Sequence, residues 1–302
     1  MREAPIPVFE SPLFCESRIP NPGSAPLALS LNPTIPMANR IDTCLDQLAA
    51  AQRTGLIPFI TAGDPSDAAT VPVMHALVRA GADVIELGVP FSDPMADGPV
   101  IQQSSERALA RKVGLRRVLA MVAEFRQQDA DTPIVLMGYL NPVEMFGLEA
   151  FAKAAREAGV DGVLLVDCPP EESAPVRAAL NAENLALVPL AAPTSAGERL
   201  ATLAQSAQGY LYYVSFAGVT GAGKLDTAEV KGKVAAIRAL TTNRIAVGFG
   251  VRDADSARAI AEFADAVVIG SALVSTLAEA VDTADACARA EAFLKPIRAA
   301  LG

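Results

Sequence analysis

The sequence predicts an α/β fold, a (β/α)8 barrel preceded by one extra helix and a disordered N-terminal extension. Three observations predict it. Short apolar, β-rich runs recur eight times, Ala-rich stretches of helical period separate them, and the repeat fills about 220 residues, near the usual span of such a barrel. The runs are LIPFITAG (56–63), DVIELGVP (83–90), PIVLMGY (133–139), GVLLVDCP (162–169), ALVPLAAP (186–193), GYLYYVS (209–215), RIAVGFGV (244–251) and AVVIGSA (266–272). Runs so continuously apolar belong to a parallel sheet that helices cover. The intervening helical stretches include TVPVMHALVRAG, LRRVLAMVAEFRQQ, LEAFAKAAREAG and ERLATLAQSAQ. RIDTCLDQLAAAQR (40–53) is predicted as the extra helix, plugging the bottom of the barrel. The tail from Ser275 to Leu301 is predicted as the eighth helix plus a C-terminal addition. An open doubly wound sheet is the alternative, disfavoured because no GxGxxG opens the first helix.

The first 36 residues differ from the rest: eight of them are Pro, and no amphipathic period is visible. No charged segment leads into an apolar one, so a signal peptide is not indicated, and three glutamates weaken a transit-peptide reading. Residues 1–36 are read as a disordered extension, with translation starting at Met37, and residues 37–302 as one TIM-barrel catalytic domain. The net charge of −9 argues against a nucleic-acid partner. No run reaches the ~18 apolar residues of a membrane span. Cys15, Cys44, Cys168 and Cys287 are far apart and form no CxxC pair, so they suit neither a zinc site nor a disulfide framework. Reduced thiols in the cytoplasm are the expectation. The single histidine, His75, lies in a helical pattern with no partner in sight and is read as structural.

The segment ELGVPFSDPMADGP (86–99) carries the chemistry. Alternation puts Ile85, Leu87 and Val89 on the face that meets the outer helices, and Val84, Glu86 and Gly88 on the inward face. A carboxylate inside a barrel costs several kcal/mol unless it is paired, protonated or poised for use. Gly88 is expected to leave space above Glu86 toward the strand's C-terminal end, where barrel enzymes place their sites. The competing reading pairs Glu86 with a buried Arg or Lys, although the strands offer few. A desolvated Glu has the raised pKa that acid/base work near neutral pH requires. Asp93-Pro94 reads as a turn. Asp97-Gly98-Pro99 reads as a helix cap with Pro in the first turn, so residue chemistry alone leaves Asp97 open between cap and catalyst.

Three Gly-bearing segments follow the last strands: GVTGAG (218–223), GFG (248–250) and Gly270-Ser271. Gly248, Gly250, Gly270 and Ser271 fall where barrels bind phosphate, in the loops after strands seven and eight. Gly218 to Lys224 imitates the start of a Walker A loop, but Leu225 stands where Ser or Thr would hold magnesium. The segment between Ser215 and Thr227 reads better as a loop closing over a substrate.

PFITAGDP, ELGVPFSDPMADGP, GYLYYVS with GVTGAG, VGFGV and IGSA occur in order, and together they resemble the tryptophan synthase alpha chain from about Arg40 to the C-terminus. That resemblance implies a TIM barrel that cleaves indole-3-glycerol phosphate to indole and glyceraldehyde 3-phosphate. Carried over by motif, Glu86 matches the family's acid/base and Asp97 its second catalytic carboxylate. Tyr212 matches a tyrosine lining the site, Phe59 and Tyr139 the indole pocket, and Gly221, Gly250, Gly270 and Ser271 the phosphate cradle. The resemblance implies no metal and no organic cofactor in this chain. It also implies a pyridoxal-phosphate-dependent beta chain as partner in an α2β2 heterotetramer, faced by Pro90 to Pro99 and the strand-three loop around Asn141-Pro142. Three readings compete with this one: another phosphate-binding barrel such as a sugar-phosphate isomerase, a regulatory subunit that activates the beta chain, and a stand-alone indole-releasing lyase. The first would keep the late glycines but need not have Glu86 and Asp97 in these places, and intact carboxylates argue against the second as the sole role.

Overall fold

The structure is a computed structural model and describes residues 39–214, 227–248 and 250–302. The extension up to residue 36, most of the 215–227 loop and Gly221 therefore lie outside the described residues.

Nine strand segments form one sheet: β1 (Gly55–Thr61), β2 (Ile85–Gly88), β3 (Ile134–Gly138), β4 (Gly162–Leu165), β5 (Ala186–Leu187), β6 (Leu190–Ala191), β7 (Tyr210–Val214), β8 (Arg244–Gly248) and β9 (Ala266–Ile269). Their order is β5-β4-β3-β2-β1-β9-β8-β7-β6, with every named pair parallel. β5 and β6 are two halves of the predicted fifth strand. The break falls at Pro189, which has no N–H to give to a ladder. Pairing continues across it, since the Val188 N–H donates to the Val163 carbonyl at 2.9 Å and the Tyr212 N–H to the Pro189 carbonyl at 3.0 Å. The strand-five segment thus joins β4 to β7 and closes an eight-position TIM barrel.

The helices are α1 (Arg40–Ala50), α2 (Asp67–Arg79), α3 (Pro99–Ala110), α4 (Leu115–Phe125), α5 (Leu140–Phe146), α6 (Leu148–Ala158), α7 (Ala174–Ala182), α8 (Gly197–Gln205), α9 (Thr227–Arg238), α10 (Ala254–Ala261), α11 (Ser271–Ala278) and α12 (Thr283–Leu301). Two boundaries differ from the sequence expectation. The segment around Asn141-Pro142 is the short helix α5 where a loop is expected, because Pro is tolerated in a first turn. The eighth strand stops at Ile269, and Ser271 opens α11. Among the described residues no helix is long and apolar enough to cross a membrane.

Strand alternation divides the core. Leu56, Ile60, Ile85, Leu87, Leu211 and Val267 pack outward against the helices. Ile57, Val84, Val135, Leu164, Tyr210, Tyr212 and Val268 fill the inside, together with Ile41, Leu45 and Leu48 of α1. The extra helix is therefore the bottom plug, its apolar stripe (residues 41, 45 and 48, at helical spacing) sealing the lumen. Asn39 starts it, accepting the Ile41 N–H at 2.9 Å and donating to the carbonyls of Asp161 and Asn184. Beside it, buried Asp161 joins four elements. Its carboxylate meets Arg40 and Arg126 at 2.8 Å each and accepts the Ile134 N–H at 2.8 Å. With the bottom plugged and tied, the C-terminal ends of the strands are the open face.

Candidate active site

Glu86 lies inside the barrel with no exposed surface, in register with Phe59 on the neighbouring strand. The Tyr210 hydroxyl donates to Glu86 Oε1 at 2.5 Å. β7 is four positions from β2 around the eight-position barrel, so this bond crosses the lumen. Glu86 Oε2 has no partner, and no ion pair among the described residues includes Glu86. The competing expectation of a buried Arg or Lys partner is thus not met; a neutral phenol stands there instead. Burial without a cation pushes the Glu86 pKa up to about 8, and the Tyr210 hydrogen bond offsets this only in part.

Gly88 does not leave the vacant space expected above Glu86. A Cβ there would come within 2.5 Å of Phe59 Cζ, so the Phe59 ring occupies that volume. A Cβ on Gly270 would touch the other side of the ring at 3.6 Å. Glycines on β2 and just past β9 therefore seat Phe59 between them. Gly248 does the same for Tyr212, whose hydroxyl fills the place where a side chain at 248 would start.

Asp97 sits in the loop after β2, partly buried. The structure corrects its reading as a helix cap: the N-cap of α3 is Gly98, which makes no side-chain cap, and Pro99 occupies the first turn. The Asp97 carboxylate is accordingly spare. It accepts from the Tyr139 hydroxyl at 3.1 Å, and that hydroxyl accepts the Ala96 N–H at 3.0 Å. Burial raises the Asp97 pKa to about 6, with the Tyr139 hydrogen bond pulling the other way. From α3, the Gln102 amide donates to the Asp97 carbonyl at 2.8 Å and to the Pro94 carbonyl at 3.3 Å. The buried Ser104 hydroxyl pairs with Thr61 of β1 at 2.6 Å. The acidic loop is thereby tied to Tyr139 and to α3, and α3 in turn to β1, despite its glycines and prolines.

A cavity of about 330 Å3 opens at this end of the barrel, lined by Phe59, Glu86, Asp97, Tyr212, Gly250, Gly270 and Ser271. Its apolar walls include Ile101, Met137 and Val268. Tyr139 lines a smaller space behind Phe59 and Asp97. At the glycine end, α11 begins at Ser271 after Gly270 with no side-chain cap, leaving first-turn N–H groups available. Gly250 has φ +82°, a conformation that favours glycine. N–H groups grouped in this way suit an anion such as phosphate. Among the described residues no three His, Cys, Asp or Glu side chains gather as metal ligands.

Of the residues singled out from sequence, Phe59, Glu86, Asp97, Tyr212, Gly250, Gly270 and Ser271 meet at one cavity; Tyr139 stands just behind it, and Gly221 is outside the described residues. His75 is elsewhere, stacked on Phe125 at 4.5 Å. Sequence reasoning missed Tyr210, though the signal was present: Tyr210 and Tyr212 alternate onto the same inward face. It also missed Gln102, whose role depends on a loop geometry that composition does not reveal.

The sequence profile of the tryptophan synthase alpha chain family matches residues 45–301. The tryptophan synthase alpha chain of Xylella fastidiosa strain M12 is 62% identical over 263 residues, covering 87% of this chain and 98% of its own. That of Xanthomonas axonopodis pv. citri is also 62% identical, with the same coverage. Among solved structures, the tryptophan synthase alpha subunit from Legionella pneumophila superposes with a TM-score of 0.82 at 45% identity, covering 87% of this chain and 98% of its own. The aminoacrylate-bound tryptophan synthase from M. tuberculosis superposes with a TM-score of 0.78 at 34% identity, covering 88% and 100%.

Proposed function

Because the chain belongs to the tryptophan synthase alpha chain family, whose members cleave indole-3-glycerol phosphate, we propose that Glu86 and Asp97 carry that cleavage here. The chain is a lyase of tryptophan biosynthesis, releasing indole and glyceraldehyde 3-phosphate by a retro-aldol reaction. The assignment of roles rests on one observation: two carboxyl groups with raised pKa values, about 8 and about 6, share one cavity with an uncapped helix N-terminus.

The carbon–carbon bond breaks only if the indole ring can accept the electron pair. A proton delivered to indole C3 makes the ring an iminium-like cation that accepts it. Glu86, held protonated at neutral pH, supplies that proton. Asp97, ionised at the same pH, stabilises the charge that develops at the ring nitrogen. Glu86 is then a carboxylate and removes the proton of the adjacent glycerol hydroxyl. As that O–H breaks, the oxygen forms the aldehyde C=O, and the C–C electrons restore the aromatic indole. One proton enters and one leaves, so Glu86 ends as it began. The different environments of the two carboxyls separate their roles. Phe59 and Tyr139 bound the indole side, and Tyr212 lines the same cavity as Phe59. Gly250, Gly270 and Ser271 hold the phosphate, with Gly221 assigned to the same cradle by motif.

The alpha chain is the cofactor-free subunit of its family, and on this reading pyridoxal phosphate belongs to the partner alone. Family membership implies a beta-chain partner, and we propose an α2β2 assembly. Its docking face is the rim formed by residues 90–99 and α5, which the Phe91–Tyr139 ring contact ties together and which carries the exposed Met95 and Met145. The catalytic domain is residues 37–302; no assigned site residue precedes Phe59. The free thiols Cys44, Cys168 and Cys287 support a cytoplasmic location.

The test is the pH dependence of kcat/KM for indole release. Asp97 must be ionised, so activity falls as pH drops through about 6. Glu86 must be protonated, so activity falls as pH rises through about 8. The expected profile is a bell between these values. A profile flat from pH 5 to 9 would rule out these roles.

A further inference from the structure

The cavity is electrically lopsided. Glu86 stands on β2 and Asp97 in the loop after it, whereas Arg252, the cavity's only lysine or arginine among the described residues, follows Gly250 and Val251 after β8, three positions around the barrel. The backbone at Arg252 is anchored, because its N–H donates to Ser256 Oγ at 3.0 Å. Its neighbour Asp253 is occupied as the cap of α10, accepting from the Ser256 N–H at 2.8 Å and from Ser256 Oγ at 2.7 Å. The guanidinium lies 3.9 Å from Asp253, outside hydrogen-bond range, and the Arg252 side chain is 66% exposed. The fold thus fixes where this side chain starts and leaves its head uncommitted, next to N–H groups that suit a phosphate.

A phosphate monoester brings a charge of nearly two at neutral pH. Backbone N–H groups offset that with partial charges, whereas a guanidinium adds a full charge and two parallel donors. We propose that Arg252 is the specificity-determining clamp for the substrate's phosphate. It selects the phosphorylated glycerol tail over an unphosphorylated one and points the indole toward Glu86 and Asp97. The proposal rests on reading Gly250, Gly270 and Ser271 as the phosphate cradle. It goes further by assigning a side chain, and with it the charge discrimination, to a site otherwise built of backbone. Because the contact is half open to solvent, its effect is moderate and sensitive to salt.

The experiment uses the full chain as wild type, Arg252→Met and Arg252→Lys. Two quantities are measured at 20 and 300 mM salt: KM for indole-3-glycerol phosphate and the inhibition constant of glycerol 3-phosphate. Arg252→Met is expected to raise both about tenfold at low salt, with a smaller change in kcat, and to flatten the salt dependence. Arg252→Lys is expected to restore the salt dependence and part of the affinity. A Met variant with wild-type inhibition constant and wild-type salt slope overturns the role of Arg252 while leaving the cradle intact. If glycerol 3-phosphate fails to compete in the wild type, the cradle reading falls, and Arg252's role falls with it.

Discussion

Replacing Glu86 with glutamine is expected to lower kcat for indole release about a thousandfold, with KM for indole-3-glycerol phosphate changed by no more than a few-fold. Glutamine matches glutamate in shape and can still accept the Tyr210 hydroxyl, so the cross-barrel hydrogen bond survives. It cannot give up or take a proton, and both proton transfers assigned to Glu86 are lost. The residual activity should also lose the alkaline limb near pH 8, since no group remains to titrate there. Asp97→Asn is expected to cost less, about a hundredfold, because a neutral amide still presents an acceptor to the indole N–H. Steady-state indole release across pH 5 to 9 measures both. A Glu86→Gln enzyme with near-normal kcat would sink the acid/base assignment outright.

Replacing Asp161 with alanine is expected to destabilise the fold by about 3 kcal/mol without altering the chemistry. Asp161 is 2% exposed, and its carboxylate neutralises Arg40 on α1 and Arg126, just past the C-terminus of α4, while accepting the Ile134 N–H of β3. Removing it leaves Arg126 buried among carbonyls with only the Asp129 carboxylate nearby, at 3.9 Å, and leaves a ladder N–H without its partner. For a domain of this size such a loss lowers Tm by roughly 6–12 °C. Thermal unfolding followed by circular dichroism gives Tm, and kcat at 25 °C should match wild type because the network lies at the closed end of the barrel. An unchanged Tm would show that the plug helix does not depend on this junction.

The barrel was legible because a parallel strand buried on both faces has little choice but an apolar run, and the covering helices repeat their own period. The alternation in DVIELGVP placed Glu86 inward without any structure, and burial with the open C-terminal end followed from the fold. Four things could not be read in the same way. The split of the fifth strand depends on how one proline meets two different neighbours. The emptiness expected above Gly88 was filled by a ring from another strand, and side-chain volumes across strands are not visible in one run of sequence. Whether Asp97 caps α3 turned on a shift of one residue in where that helix begins, and helix boundaries are the least determined feature of a sequence pattern. Arg252 carries no motif at all; only the closed barrel brings it to the same cavity as Glu86 and Asp97, which lie far earlier in the chain.

The buried carboxyl of Glu86 also makes folding a proton-binding reaction. In the unfolded chain this group titrates near 4.5, but in the folded barrel near 8. At pH 7 the native state therefore holds a proton that the unfolded chain releases, and native stability from this group is complete below about 4.5 and declines as pH rises toward 8. The price at neutral pH is on the order of 3 kcal/mol, from 1.36 kcal/mol per pH unit above the unfolded value. Glu86→Gln should accordingly raise Tm at pH 8 more than at pH 5, and an equal Tm change at both would contradict the shift. Unfolding in buffers of different ionisation heat should release about one proton from this position. On the proposed mechanism, the fold retains a residue that burial alone disfavours, and its contribution to stability is smallest in the alkaline range where the acid is also spent.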